Sequence, residues 1–192
     1  MKVAVTGATG HIGANLIDAL GKRGIRTRAL VRLGAQFEHL PGVEASPGDL
    51  TDVTSLQRCF EACDTVFHSA AHIAISGSRS DLGLMHEVNV LGTANVIKAC
   101  LAAGVRRLVW FGSVFALRLP TAGTLIAETS PWLTAGDAGS HYDHSKAQAA
   151  RLIATHPDLE SVGILPTGVF GPLDWRGSLF GKAVVRLANG QL

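Results

Sequence analysis

Residues 2–13, KVAVTGATGHIG, run from a short apolar segment into a helical pattern across three glycines, Gly7, Gly10 and Gly13. The segment after the turn, IGANLIDALGKRG, puts Ile12, Leu16, Ile17 and Leu20 on one helical face and ends at Gly24. This unit constrains the rest, because the same alternation continues to the end of the chain. TRALVR reads as a second strand and GVEASPGD holds a short third. DVTSLQRCFEAC is helical, with Val53, Leu56, Phe60 and Cys63 on one stripe, and DTVFHSAA is a fourth strand. A polar loop around ISGSRSD precedes a long helix over 87–103. RRLVWFGS is a fifth strand, HYDHSKAQAARLIAT a helix and SVGILPTGVFGP a sixth strand with a Gly-Pro exit. Strands alternating with helices imply right-handed crossovers. The fold class expected is α/β: a Rossmann-type doubly wound parallel sheet with helices on both faces.

The position of the glycine turn gives it chemical meaning. Glycine lets the backbone approach a ligand closely, and the following helix N-terminus offers unpaired N–H groups and a positive dipole end to a pyrophosphate. The spacing is G-x-x-G-x-x-G, which differs from the G-x-G-x-x-G dinucleotide fingerprint. Its place at the first strand–helix turn still points to dinucleotide binding. The later GSLFGKA cannot serve a nucleoside triphosphate: its glycines are too close, and Ala183 stands where a hydroxyl is needed. The fingerprint expects an acidic residue at the end of the second strand, but RALVR ends in Arg32. A guanidinium binds a 2′-phosphate bidentately where a carboxylate would repel it, so NADP(H) is favoured over NAD(H). The alternative is a solvated strand-end arginine. Asp49, in GDLTD, is placed either to accept a bond from the adenine amino group or to act in a turn or helix cap.

Tyr142, the only tyrosine, stands four residues before Lys146, so both side chains project from one helical face. A phenol titrates near ~10, and a neighbouring ammonium lowers that value by favouring the phenolate. Ser113, in FGSVF, falls at the C-terminal end of the fifth strand, where open parallel sheets bind ligands. Glycine loop, Ser113 and the Tyr142–Lys146 pair can converge on one crevice. His68 lies within a strand and reads as a satisfied core residue. His72 reads either the same way or as facing a substrate. His141 and His144 flank the tyrosine and read as exposed.

These pieces resemble the extended short-chain dehydrogenases/reductases, the superfamily of NAD-dependent epimerases, dehydratases and dihydroflavonol-reductase-like enzymes. The matching segments are TGATGHIG, GDLTD, VFHSAA, NVLGTANVIKAC, LVWFGSV, YDHSK and PTGVFGP, from Met1 to about Pro172. The branch with dihydroflavonol reductases and sugar epimerases is the most similar, through ALVR and ILPTGVFGP. The resemblance implies a Ser113–Tyr142–Lys146 triad. Tyr142 would exchange a proton with the substrate oxygen as hydride passes at nicotinamide C4. Lys146 would hold the nicotinamide ribose and lower the tyrosine pKa, and Ser113 would hydrogen-bond the reacting carbonyl. It further implies a cofactor crevice formed by Gly7, Thr9, Gly10, His11, Ile12, Gly13, Arg32, Asp49, Leu50, Ala70, Ala71, Asn89, Tyr142, Lys146 and Pro166, with Asn89 supporting the active-site architecture. Three positions depart from the family pattern. His11 replaces a common Phe or Tyr, Gly112 a small hydroxyl residue, and Leu165 an arginine common in sugar-nucleotide epimerases.

The totals fit a globular enzyme. The 192 residues are 47% hydrophobic and 17% charged, and a net charge of +2 gives no footprint for nucleic acid. Cys59, Cys63 and Cys100 lack the paired spacing of a zinc site and read as free thiols in a reducing compartment. No run suits a membrane span or a signal peptide, so a cytoplasmic protein is expected. Residues 1–172 are expected to form the dinucleotide domain and 173–192 the start of a substrate-binding portion that is largely absent. The expected partners are a small carbonyl or sugar substrate and, by resemblance, a second copy in a homodimer. Two rival functions stay open: a nucleotide-sugar epimerase, which returns its hydride, and a dinucleotide-sensing regulator without catalysis.

Overall fold

A computed structural model describes residues 1–35, 37, 42–73, 78–118, 125–175 and 177–191. Six parallel strands form one sheet in the order β3-β2-β1-β4-β5-β6. They are β1 (Lys2–Thr6), β2 (Arg26–Val31), β3 (Val43–Pro47), β4 (Thr65–His68), β5 (Arg107–Phe111) and β6 (Glu160–Ile164). The helices are α1 (His11–Lys22), α2 (Val53–Phe60), α3 (Arg79–His86), α4 (Gly92–Ala102), α5 (His141–Ala154) and α6 (Leu179–Ala188).

Alternation along the strands divides the core in two. Val3 and Val5 of β1 join Ile17 and Leu20 of α1 and Ala29 of β2 on one face. Ala4, between them, joins Leu56 and Phe60 of α2, Val96 and Ile97 of α4, Leu108 and Trp110 of β5 and Ile153 of α5 on the other. Helices therefore cover both faces, as expected for a doubly wound sheet. Strands buried on both sides read as near-continuous apolar runs, which is why β1, β4 and β5 were legible. Cys59, Cys63 and Cys100 are free and buried in the larger cluster. No described helix is long and apolar enough to cross a membrane.

Local chemistry sets several boundaries. Asp52 caps α2 by accepting from the Thr54 and Ser55 amides, and α5 opens with a reciprocal capping box between Ser140 and Asp143. At Gly24, φ is +66° and the Ile25 amide reaches back to the Leu20 carbonyl, which stops α1. Three expectations need correction. The helix expected from residue 87 starts at Arg79 and passes through a π-helical turn, Glu87–Leu91, before α4. Of the polar loop expected around 75–81, residues 75–77 lie outside the described residues, and Ser78 caps α3. The sixth strand stops at Ile164, and PTGVFGP runs beyond it without regular structure. It stops early because Pro166 has no N–H to donate to the ladder.

Candidate active site

The strand order reverses between β1 and β4, which are adjacent, and crevices form at such switch points outside the carboxyl ends of the strands. Gly7 follows β1 and Ala70 follows β4. Gly7 has φ +75°, and a Cβ on it would lie 2.5 Å from the Ala70 amide nitrogen. A Cβ on Gly13 would lie 2.1 Å from the Gly7 carbonyl oxygen. These two glycines are required by packing as well as by any ligand. Gly10 is the N-cap of α1, and no side chain caps the helix there, so its first amides keep their donors. A backbone cradle with uncapped amides fits the pyrophosphate of a dinucleotide. Thr9 and Ile12 are half-buried in this turn.

His11 opens α1 and faces the segment after β6: a Cβ on Gly171 would sit 3.8 Å from its Nε2. Asn15, one turn on, donates from Nδ2 to the Pro172 carbonyl at 2.8 Å, tying that segment to α1. Arg32 is exposed just past β2, and no described residue pairs with its guanidinium. For Asp49, the turn role is the one seen. Its Oδ1 accepts from both the amide and the hydroxyl of Thr51 at 2.9 Å, while Asp52 does the capping. Leu50 is buried beneath Gly92 and its carbonyl accepts from Asn95, so it packs in the larger cluster against α4. Ala71 is exposed beside Ala70.

Ser113 emerges buried from β5. Its Oγ accepts from the Phe115 amide at 3.2 Å, which leaves the hydroxyl hydrogen free to donate. The next amide, of Val114, donates to the Pro166 carbonyl at 3.1 Å, locking the two strand exits together. The short 3₁₀ turn Val114–Ala116 packs on α5 through Ala116 and Ala147.

On α5, Tyr142 is half-buried and Lys146 buried. Lys146 Nζ donates to the Phe111 carbonyl at 3.0 Å, lies 5.7 Å from the Trp110 ring centre and 5.9 Å from that of Tyr142. The pair therefore flanks the end of β5, two residues before Ser113. Burial lowers the Lys146 pKa to about 8. The Tyr142 phenol is pushed up to about 12, first by burial and then by the charge of Asp143. This reverses the expectation that the ammonium lowers it. One of the three Lys146 donors goes to the Phe111 carbonyl, and desolvation of the phenolate outweighs the nearby ammonium.

Asn89 sits in the π-helical turn and is buried. Its Oδ1 accepts from the His72 amide at 2.8 Å, and its Nδ2 donates to the His72 carbonyl and to Ser145 Oγ, both at 3.0 Å. It acts by holding the loop after Ala71. The π turn is the kind of helix irregularity that gathers at functional sites. The His72 Nε2 is buried without a partner among the described residues. His141 is exposed as expected, but His144 is half-buried, with its Nε2 3.4 Å from where a Cβ on Gly139 would sit. The two departures Gly112 and Leu165 prove to be one adjustment. A Cβ on Gly112 would lie 2.5 Å from the Trp110 ring and 2.6 Å from Leu165 Cδ2. Sequence reasoning missed Asn15 and Ser145; the latter's signal was a small hydroxyl between tyrosine and lysine on a helix.

The sheet order and the glycine cradle define a dinucleotide-binding protein of the Rossmann type. Residues 3–191 match the NAD dependent epimerase/dehydratase family, and the chain belongs to it. It is 34% identical to "Sterol demethylase protein B" of Methylococcus capsulatus, over all of this chain and 58% of that one. It is 31% identical to a "Putative dihydroflavonol 4-reductase" of Synechocystis sp., over 98% of this chain and 55% of that one. The Thermus thermophilus UDP-glucose 4-epimerase, solved with NAD, superposes with a TM-score of 0.81 at 28% identity, over 99% of this chain and 63% of that one. The chain thus spans somewhat over half the length of these relatives.

Proposed function

We propose that the protein is an NAD(P)-dependent reductase of small or medium-sized ketones or aldehydes. The observation that carries this reading is the seat of Tyr142 and Lys146 on one face of α5 against the end of β5, with Lys146 anchored to Phe111 two residues before Ser113. Gly7, Gly10 and the first amides of α1 would hold the pyrophosphate, and Arg32 a 2′-phosphate, which favours NADP(H). When bound, the nicotinamide supplies the hydride that reduces the carbonyl carbon. Ser113 donates its free hydroxyl hydrogen to the carbonyl oxygen and stabilises the charge that develops there. Tyr142 gives that oxygen its proton, completing the alcohol. A phenol pushed up to about 12 is fully protonated at neutral pH, as a donor must be. Lys146, fixed to Phe111, holds a positive charge beside the tyrosine and helps to refill its proton.

The resemblance to a nucleotide-sugar epimerase supports a second reading, with the same residues and no net consumption of cofactor. Leu165 against Gly112 and Trp110 supports the first, because it puts apolar packing where such epimerases commonly have an arginine. Net oxidation of NADPH by a carbonyl compound distinguishes them. The test of the site is Tyr142→Phe. It should lower kcat by about 10²–10⁴-fold with NADPH affinity unchanged, and full turnover by the variant would sink the assignment.

A further inference from the structure

His68 is fully buried and is not used in the chemistry above, yet both ring nitrogens are engaged. Nδ1 lies 2.7 Å from Thr6 Oγ1, and Nε2 lies 3.0 Å from Thr93 Oγ1. Thr93 Oγ1 in turn donates to the Asn89 carbonyl at 2.7 Å. A threonine hydroxyl has one hydrogen, so towards His68 it can only accept. Nε2 must therefore carry the ring proton, and Nδ1 must accept from Thr6. The bonds keep this direction past Asn89. Ser145 Oγ donates to the Tyr142 carbonyl at 2.7 Å, so it accepts from Asn89 Nδ2. Every donor in the series points the same way, from Thr6 to the backbone of Tyr142.

We infer that His68 is a positioning residue, the keystone of a one-directional hydrogen-bond chain Thr6–His68–Thr93–Asn89–Ser145 that fixes the Tyr142 turn of α5 relative to the glycine loop. Thr6 immediately precedes Gly7, and its carbonyl is held by both the amide and the hydroxyl of Ser69, at 3.2 and 2.8 Å. The start of the chain is thereby part of the cofactor cradle, and its end is the tyrosine. The one-directional chain needs a neutral histidine, because a second proton at Nδ1 would occupy the lone pair to which Thr6 donates and reverse that bond. Burial, helped by the charge of Lys146, supports that state by lowering the His68 pKa to about 3. Buried networks whose members are all satisfied rigidify what they connect, and here they connect two loops and a helix.

The inference concerns where Tyr142 is held; its kinetic arm alone rests on the reading of Tyr142 as the acid–base. The chain has a single tyrosine, so replacing it with 3-fluorotyrosine gives one fluorine resonance that reports that site. Nitrogen-15 labelling of histidine, with His68 identified through the spectrum of His68→Gln, should show the Nε2–H tautomer with no titration from pH 5 to 8. An Nδ1–H tautomer would overturn the inference without any variant. Thr93→Val and Ser145→Ala should each shift or broaden the fluorine resonance, and Thr93→Ser and Ser145→Thr should restore it. An unmoved resonance in both breaking variants also overturns it. In turnover, Ser145→Ala should lower kcat by about tenfold or more with KM unchanged. A resonance that moves while kcat does not would support the positioning and sink the acid–base role.

Discussion

The sector where β1, β4 and β5 meet α4 and α5 contrasts with the outer edge formed by β6, the segment after it and α6. In the first, Val66, Leu108, Val96 and Cys100 have no exposed surface, and even polar Thr6, His68, Asn89 and Thr93 are at 2% or less. In the second, every residue of β6 is exposed, with Val162 at 47% and Trp175 at 68%. The register explains part of it. Val109 pairs with Val162 and Phe111 with Ile164, so these four share the face away from the large cluster. On that face α1 covers only β1 and its neighbours. On the opposite face Gly163 sits under the Trp110 ring and adds no side chain. The cofactor half is closed by its own residues, whereas the edge presents apolar surface to solvent. Rigidity is thus concentrated in the sector proposed to hold the dinucleotide, where substitutions should cost most.

The largest effect is expected at the point of closest backbone approach. Gly7→Ala combines φ +75° with a Cβ 2.5 Å from the Ala70 nitrogen. It should destabilise the protein by about 4 kcal/mol or more and abolish cofactor binding. Gly24→Ala, at φ +66° but in open space, should cost about 1 kcal/mol. Urea unfolding of both variants measures the difference, and equal losses would erase the contrast between sectors. Arg32→Ala should weaken NADPH by about 10–100-fold while leaving NADH nearly unchanged. Equal loss of both cofactors would remove the 2′-phosphate assignment.

Acid should act through the buried sector. The folded His68 binds its proton only near pH 3, against 6.5 for the free side chain. Between those values the unfolded chain holds more protons, so stability falls as pH drops through this window. The loss should reach about 2 kcal/mol at pH 5 relative to pH 7. Unfolding of His68→Gln across that range should lack this component of the slope. The smallest effect belongs to the edge. Val162→Thr should alter stability by no more than about 0.5 kcal/mol, and a larger loss in thermal unfolding would mean that β6 is covered in solution.

Much of this molecule was readable in advance wherever the signal was local. Strands β1, β4 and β5 appear as apolar runs, α1 as a stripe ended by Gly24, and α5 as Tyr142 and Lys146 on one face. The failures have local causes too. The polar residues of α3 gave no periodic stripe, so its extension of the long helix was hidden. The π turn at Asn89 leaves no mark in composition. PTGVFGP looked like strand because its apolar content masked the effect of Pro166. Asp49 was left between two roles, and the structure gave its Oδ1 to Thr51.

By itself the sequence determined what depends on neighbours in the chain: alternating elements, glycines at a strand–helix turn, a cap, and a phenol and an amine one helical turn apart. Propensity, periodicity and capping act over a few residues, so a single strand of text carries them. The tertiary structure alone decided which distant groups meet. Thr6 and His68 are 62 residues apart, and Asn89 and Ser145 are 56 apart. Their contact follows from β1 and β4 being neighbours and from α4 lying against α5, which no short-range pattern encodes. Burial decided the rest. The spacing suggested a phenol made more acidic by Lys146, but desolvation in the packed crevice raised it to about 12. How far a group is withdrawn from water is a property of everything around it.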